Sequence, residues 1–268
     1  MTPHRLNWCI YGSGRAGQAR LRHAPPDIDA TLFSAREHAL SDILSTKPFD
    51  GVVICTENQR HAADIRVALT HLCHVIVEFP LCLTEAEASE LYSLAEAQSR
   101  MLHCAHIGLL KPDIQWLLNT QPQLGHIQVH FQGGLYRWLD QAYRSKSVAV
   151  LTIGRLQVLW ALCGPLSLTT VVYQDLGNGY RLSLQFKSPM IERVLLTERR
   201  QPQLKRQSEW QFLSATHHPI EQPTFEPQNL FYTDWTRALS HIAGQECYLS
   251  PKEVLAVLAL CDQIQAQI

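Results

Sequence analysis

A glycine-rich turn between a strand-like and a helix-like segment constrains the fold of this chain more than any other feature. The apolar run from Leu6 to Tyr11 is followed by Gly12-Ser13-Gly14-Arg15-Ala16-Gly17, a G-x-G-x-x-G pattern, and then by residues of helical character. Glycines at this spacing allow a tight turn, a close approach of the backbone to a pyrophosphate, and close packing of helix against strand. The start of the helix also favours phosphate, through its free N–H groups and its dipole.

The turn therefore predicts a dinucleotide-binding site, with a merely structural turn as the alternative. The residues assigned to the cofactor here are Gly12, Gly14, Arg15, Ala16 and Gly17.

Strand-like and helix-like segments alternate over the first hundred residues. Val52 to Cys55 and His74 to Val77 are short apolar runs, and the residues between them carry helical spacing. Thr84-x-x-Glu87 is a capping box that opens another helix. Alternation of this kind predicts an α/β Rossmann domain with a parallel, doubly wound sheet, which we assign to residues 1–108.

The pattern changes in the rest of the chain, residues 109–268. A buried helix is predicted over 148–162, and a polar, aromatic loop is predicted through Tyr136, Trp138 and Tyr143. Four strand patterns then follow without helices between them, at 167–173, 180–186, 192–196 and 209–213. Ser250-Pro251-Lys252-Glu253 has the residues of a helix start. These features predict an α+β second domain with a mostly antiparallel sheet and C-terminal helices.

Composition excludes several classes of partner. Lys plus Arg total 23 against 24 for Asp plus Glu, so the chain lacks the positive field typical of nucleic-acid binding. The most apolar stretch, 148–172, contains Arg155 and a Gly164-Pro165 break, which argues against a membrane span. The eight cysteines form no Cys-x-x-Cys pair, so no metal site is predicted and a reducing, cytoplasmic location is expected. The oligomeric state stays open.

The end of the second strand distinguishes the two nicotinamide cofactors. An NAD site normally places an acid there for the ribose 2′-hydroxyl, but this strand ends Phe33-Ser34-Ala35-Arg36 and has no acid before Glu37. A hydroxyl and a guanidinium suit a 2′-phosphate. We therefore predict NADP(H), bound through Ser34 and Arg36. The alternative is that Arg36 is a solvated surface residue.

One further segment resembles a known family, and another departs from it. Ile54-Cys55-Thr56-Glu57-Asn58-Gln59-Arg60-His61 resembles the loop that borders the nicotinamide in the glucose–fructose oxidoreductase (Gfo/Idh/MocA) family. Sugar-oxidising members usually carry Glu-Lys-Pro after the fourth strand, where this chain has Glu78-Phe79-Pro80. Because phenylalanine cannot exchange a proton, the usual acid/base group of a sugar dehydrogenase is missing.

The biliverdin reductase branch of that family is more similar. The resemblance rests on the segments 14–22, 34–37, 77–81 and 102–110, and then on Arg137-Trp138, 153–156 and 162–164, which are similar above all to cyanobacterial members. Three positions depart from the branch: Phe79 replaces a tyrosine, and Ala105 and Gly108 replace glutamates. The side chains of phenylalanine, alanine and glycine have no exchangeable proton, so none of these three can transfer one.

The resemblance implies NADPH-dependent reduction of biliverdin, a linear tetrapyrrole, to bilirubin by hydride transfer to the central methine carbon. It places further residues at the cofactor, namely Thr56, Glu57, His61, Glu78 and Phe79. It places Phe79, His106, Trp138 and Arg155 at the substrate, with Arg155 catalytic. A sugar or cyclitol dehydrogenase, or a non-catalytic regulator that binds NADP or a bilin, remains the alternative.

Three of these assignments have structural alternatives. No acid stands at helical spacing from Arg155, which suggests an anionic ligand as its partner, although a buried ion pair would also satisfy it. His61 could instead hydrogen-bond the following helix, and His106 could be a core residue.

Overall fold

The computed structural model of the chain describes residues 5–135 and 137–268, and for residues 137 and 138 it describes only the backbone. The chain divides into two compact units. Residues up to Lys111 form the first unit together with Pro227–Leu255, and Pro112–Glu226 forms the second with Ala256–Ile268. Among the described residues, no helix has both the length and the apolar character needed to cross a bilayer.

The first unit contains a parallel five-stranded sheet in the order β2-β1-β3-β4-β5. Its strands are β1 (Leu6–Tyr11), β2 (Ile28–Phe33), β3 (Gly51–Ile54), β4 (His74–Glu78) and β5 (Leu102–Ala105). The connecting helices are α1 (Arg15–Arg22), α2 (Leu40–Thr46), α3 (His61–Thr70) and α4 (Glu85–Ala97), with a 3-10 turn at Asn58–Arg60. The predicted Rossmann architecture is confirmed, and the predicted capping box is present, since Thr84 Oγ1 accepts from the Glu87 N–H at 3.3 Å.

The second unit is built on a five-stranded sheet in the order β10-β6-β9-β8-β7. Its elements in chain order are α5 (Pro112–Thr120), β6 (His126–Gly133), α6 (Arg137–Arg144), α7 (Val148–Leu151), α8 (Ile153–Cys163), β7 (Ser167–Asp175), β8 (Tyr180–Lys187), β9 (Arg193–Arg200) and β10 (Gln207–Leu213). Every pairing is antiparallel except that of β6 with β9. The predicted α+β class with a mostly antiparallel sheet is therefore confirmed.

Two local predictions for this unit were wrong. The loop predicted through residue 143 contains helix α6, whose buried Leu139, Ala142 and Tyr143 have helical spacing. The single helix predicted over 148–162 is two helices, because Thr152 leaves helical geometry at φ −125°. Its hydroxyl instead donates to the Glu198 carboxylate at 3.0 Å.

Two helices complete the chain, α9 (Leu230–Ile242) and α10 (Pro251–Gln265). The Trp235 ring of α9 packs edge-on against Trp8 of β1 with 5.1 Å between centroids, and its Nε1–H donates to the Arg20 carbonyl. Sequence analysis assigned all of 109–268 to the second domain. The structure differs from that assignment, because burial of this tryptophan pair attaches the segment around α9 to the first unit.

Candidate functional site

Two glycines of the first turn are required by the protein's own backbone. Gly12 has φ +117°, and a Cβ there would lie 2.4 Å from the Cys55 carbonyl oxygen. A Cβ at Gly17 would lie 1.9 Å from the Gly12 carbonyl oxygen. A side chain at either position would collide with backbone that cannot move aside cheaply, so β1, β3 and α1 approach one another only with glycine here.

Gly14 is different, because a Cβ at this position would meet no protein atom within 4 Å. It is the N-cap residue of α1, and no side chain caps the helix. Arg15 is exposed and Ala16 is half-buried in the first turn that follows. An uncapped helix start with open space above a glycine fits a phosphate group that accepts from the free N–H groups.

Ser34 and Arg36 lie just beyond the end of β2, as predicted. The Arg36 side chain is exposed, and its backbone N–H points to Ser34 Oγ at 3.4 Å. A second guanidinium, which the sequence analysis did not assign, contacts the same loop: Arg60 donates to the Ala35 carbonyl at 3.3 Å and to the Tyr11 hydroxyl at 3.1 Å. The loop is therefore held by one arginine and presents another to solvent.

The loop after β3 brings Thr56, Glu57 and His61 to the same edge of the sheet. Thr56 Oγ1 donates to Asp64 at 2.7 Å, and Glu57 is exposed. His61 is fully buried, and its ring nitrogens lie 2.7 Å from the Pro80 carbonyl and 3.1 Å from the Thr56 carbonyl. It thus links the loops after β3 and β4 rather than bonding its own helix.

Burial lowers the pKa of His61, although the two carbonyl contacts oppose the shift. The neutral imidazole can donate to only one of the two carbonyls, so it fixes one loop by a hydrogen bond and packs against the other.

Glu78 and Phe79 lie at the end of β4, where the predicted nicotinamide end of the site falls. Glu78 accepts from Arg20 Nε at 2.6 Å, so its carboxylate is held by an ion pair within this unit. Phe79 is half-buried and meets the His106 ring edge-on, with 4.2 Å between centroids. The His106 N–H donates to the Tyr248 hydroxyl at 2.9 Å.

The structure therefore brings together, at the carboxyl edge of the parallel sheet, the predicted cofactor residues of the first unit and His106. That edge is where ligands bind in doubly wound folds.

A buried polar network lies beneath this edge, and no sequence motif indicates it. Arg20 is fully buried and bridges Glu78 to Asp234 of α9, which also lies 2.9 Å from His103 Nε2 and accepts from Tyr248 at 2.6 Å. Burial alone raises the pKa of Asp234, but Arg20 and His103 outweigh it and hold that pKa well below its usual range. Arg20 and Asp234 are 214 positions apart, so no sequence spacing signals the pair.

In the second unit, Arg155 has a protein anion as its partner, although no acid stands at helical spacing from it. Its Nη2 donates to the carboxylate of Glu198. That carboxylate comes from strand β9 and not from the helix that carries Arg155. Arg200 Nε bonds the other oxygen of the same carboxylate. The two guanidiniums lie over the Phe131 ring at 4.2 and 4.7 Å. The alternative of an ion pair, left open above, is thus present.

We call Thr152, Arg155, Tyr180, Glu198 and Arg200 the Arg155 cluster. Glu198 is only 1% exposed and also accepts from the Tyr180 hydroxyl at 2.7 Å. Burial raises the pKa of Glu198, but Arg155 and Arg200 outweigh it and lower that pKa overall. Two arginines share one carboxylate, so the cluster carries a net positive charge, and the Arg155 side chain is 14% exposed.

The remaining substrate assignment is Trp138, whose side chain lies outside the described part of the chain. The assignments of individual residues to cofactor and substrate stay predictions.

Part of the first unit is similar in sequence to a known family. Residues 9–106 match the sequence model of the Gfo/Idh/MocA oxidoreductase family, described as an NAD-binding Rossmann fold. The chain is similar to biliverdin reductase A of Mus musculus, with 27% identity over 285 residues that cover 96% of this chain and 94% of the relative.

Two solved structures share the fold. Biliverdin reductase from Synechocystis, crystallised with biliverdin and NADP+, has a TM-score of 0.80 at 19% identity, covering 99% of both chains. A putative myo-inositol dehydrogenase from Sinorhizobium meliloti has a TM-score of 0.79 at 15% identity, covering 98% of both. At these identities the likeness shows the fold alone, which enzymes of different substrates share.

Proposed function

We propose that this chain, an oxidoreductase whose first domain belongs to the Gfo/Idh/MocA family, is an NADP(H)-dependent biliverdin reductase. It would reduce biliverdin to bilirubin by hydride transfer to the central methine carbon. Support comes from the similarity to mammalian biliverdin reductase along 96% of the chain and from the features of both units described above. The eight cysteines are free thiols, which suits the cytoplasmic location included in this proposal.

Cofactor binding is the part of the proposal with the most structural support. Gly14 and the uncapped first turn of α1 would receive the pyrophosphate. Ser34 and Arg36 would receive the 2′-phosphate, in a loop that Arg60 holds through the Ala35 carbonyl. Bound NADPH supplies the hydride, and the protein supplies position and charge.

The observation that carries the choice of substrate is Phe79 at the end of β4. An alcohol substrate must lose its hydroxyl proton to a base as hydride leaves, and an aromatic hydrocarbon cannot accept that proton. A flat pigment instead gains from an apolar aromatic surface, which the half-buried Phe79 ring offers. Phe79 therefore favours a pigment over the sugar or cyclitol alternative.

The Arg155 cluster supplies what an anionic pigment needs. With Glu198 shared between two arginines, a partly exposed guanidinium still has charge to offer a propionate or a developing negative charge. An arginine pKa above about 12 makes proton donation at neutral pH inefficient, so charge stabilisation is the role that we assign to Arg155.

The test begins with the purified protein and three mixtures: NADPH with biliverdin, NADH with biliverdin, and NADP+ with myo-inositol. We expect loss of biliverdin absorbance and appearance of bilirubin with NADPH. Polyol-dependent reduction of NADP+ without any pigment turnover would refute the proposal in favour of the dehydrogenase, and pigment binding without turnover would refute it in favour of a regulator.

Variants of Arg155 then test the assigned role. Arg155→Ala should bind NADPH normally yet lose at least about 10²-fold in kcat, the scale of one removed electrostatic group. Arg155→Lys should recover part of that loss, because it restores charge without the planar fork. Arg144→Ala is the matched control, since Arg144 is exposed and pairs with Asp140 of its own helix. Parent-rate turnover by Arg155→Ala would show that the arginine is structural.

A further inference from the structure

Three potential metal ligands meet in the first unit, away from the glycine turn. They are His103 of β5, His241 in the last turn of α9, and Cys247 in the segment before α10. One ligand atom from each lies within 4.8 Å of the other two. Neither the cofactor assignments nor the Arg155 cluster uses these side chains, so their convergence calls for a separate explanation.

The geometry of the pair His103 and Cys247 suits direct coordination. Cys247 Sγ lies 3.4 Å from His103 Nδ1. Bonds of about 2.3 Å to sulfur and about 2.0–2.1 Å to nitrogen, at tetrahedral angles, place two such ligand atoms roughly 3.5 Å apart. The two side chains therefore already stand at the separation that one tetrahedral ion would impose.

The orientation of His103 is set from the opposite side of its ring. His103 Nε2 lies 2.9 Å from the Asp234 carboxylate, which Arg20 and Tyr248 hold in place. When Nε2–H donates to that carboxylate, Nδ1 carries the lone pair that faces Cys247. A carboxylate behind a ligating histidine is the usual support of zinc ligands, because it fixes the tautomer and raises the basicity of the ring.

His241 completes the set and connects it to solvent. Its Nδ1 is buried and makes no hydrogen bond of good geometry within the described part of the chain, and the polar group that the ring meets is the Cys247 thiol. A buried ring nitrogen without a well-formed hydrogen bond costs free energy unless something binds it. The same side chain lines a cavity of about 380 Å³, whose wall includes the exposed Ser89 and Glu96, so an ion has a route to the cluster.

We propose that His103, His241 and Cys247 bind one Zn²⁺-class ion, with a water molecule in the fourth position. Two imidazoles and a thiolate select borderline-soft metals such as zinc or cobalt over magnesium or calcium, which prefer oxygen. Because coordination requires the thiolate and a free imidazole nitrogen, binding releases the protons those groups hold. The ion would join β5 to the end of α9 and to the segment that follows.

The assignment could not come from sequence spacing. His103 and Cys247 are 144 positions apart, and only the packing of α9 on the first unit brings them together. The lack of a Cys-x-x-Cys pair, on which the expectation of no metal site rests, concerns only ligands close in sequence.

The test uses tag-free, full-length protein, stripped with a chelator and titrated with Co²⁺ alone. We expect one equivalent to bind, with the near-ultraviolet thiolate-to-cobalt band and the strong visible bands of a tetrahedral site, and Zn²⁺ to displace it. Bound metal should also slow alkylation of Cys247, measured by mass spectrometry of the labelled peptide, and raise the Tm.

Variants identify the ligands. Cys247→Ser should abolish the thiolate band, and His241→Gln should weaken binding by at least about 100-fold, the upper end of losses seen for supporting residues alone. Cys163→Ala and His71→Gln are the controls, a buried thiol of the second unit and an exposed histidine of α3's C-cap, and should bind like the parent.

A titration without a thiolate band, or equal affinity in the parent, Cys247→Ser and His241→Gln, would overturn the metal site. Circular dichroism of each variant shows whether it has folded, and the parent titration decides the matter without any variant. Pigment turnover is not a readout here, so failure of the metal site leaves the reductase proposal standing.

Discussion

Replacing Glu198 with glutamine tests the electrostatic account of the Arg155 cluster. The carboxylate is 1% exposed and accepts from four side chains, namely Thr152, Arg155, Tyr180 and Arg200. The variant keeps the shape of the side chain but removes its charge. Its amide also turns one acceptor into a donor, which then faces groups that are donors themselves.

The magnitude follows from the two ion pairs. Each charge-assisted hydrogen bond is worth about 1.5–3 kcal/mol, and breaking a buried ion pair by removing one partner costs about 3–5 kcal/mol. Arg155 and Arg200 are 14% and 11% exposed, so water relieves part of their repulsion over the Phe131 ring. We therefore expect Glu198→Gln to lower the free energy of unfolding by about 3 kcal/mol, or the Tm by roughly 6–12 °C.

The pH dependence has a definite sign. The folded state lowers the pKa of Glu198, so the folded state binds fewer protons there than the unfolded state. Its contribution is fully present above about pH 4.5, the ordinary pKa of a glutamate, and is lost as pH falls through the lower folded-state pKa. The stability gap between the parent and Glu198→Gln should accordingly shrink from pH 6 towards about pH 3.

Urea unfolding followed by tryptophan fluorescence at each pH measures the gap. Glu192→Gln is the matched control, because that carboxylate is 77% exposed and should change stability by less than about 0.5 kcal/mol. A Glu198→Gln protein as stable as the parent at pH 6, or a gap that does not vary with pH, would refute the reasoning.

Three further predictions concern the cofactor site. Arg36→Ala should weaken NADPH binding by about 10–150-fold and hardly change NADH, measured by fluorescence titration, whereas Arg22→Ala on the exposed side of α1 should affect neither; equal losses for both cofactors would contradict phosphate recognition. Phe79→Tyr should keep kcat within a few fold while Phe79→Ala loses more through poorer positioning; a gain of orders of magnitude for tyrosine would show that a proton donor is missing. Gly14→Ala should fold like the parent but bind the dinucleotide less tightly, whereas Gly17→Ala should lose thermal stability, because only the second Cβ meets protein backbone; the opposite pattern would contradict the phosphate cradle.

Local signals predicted much of the first unit because its elements are specified by nearby residues. The glycine turn, the capping box at Thr84 and the apolar runs of β3 and β4 all appear in the structure where the sequence places them. The sequence also places Ser34 and Arg36 just beyond the end of β2, because the end of a strand can be located from the residues of the strand itself.

Features that depend on contacts between distant residues could not be predicted from the sequence. The sequence of helix α6 favours a loop because its polar residues outnumber the three that it buries, and its apolar face can be recognised only from the core that it covers. The helix break at Thr152 depends on Glu198, which belongs to a strand 46 positions later. A residue so distant leaves no periodicity in the helix itself.

The sequence alone therefore determined the class of each domain, the glycine turn and the position of the loop after β2. These features depend on backbone freedom and hydrophobic periodicity within short segments. Only the tertiary structure decided which charges meet. It paired Arg155 with Glu198, joined Arg20 to Asp234, and set His103 beside Cys247. Burial makes unpartnered charge costly, so such partners must exist, but the chain's packing alone selects which of its distant residues they are.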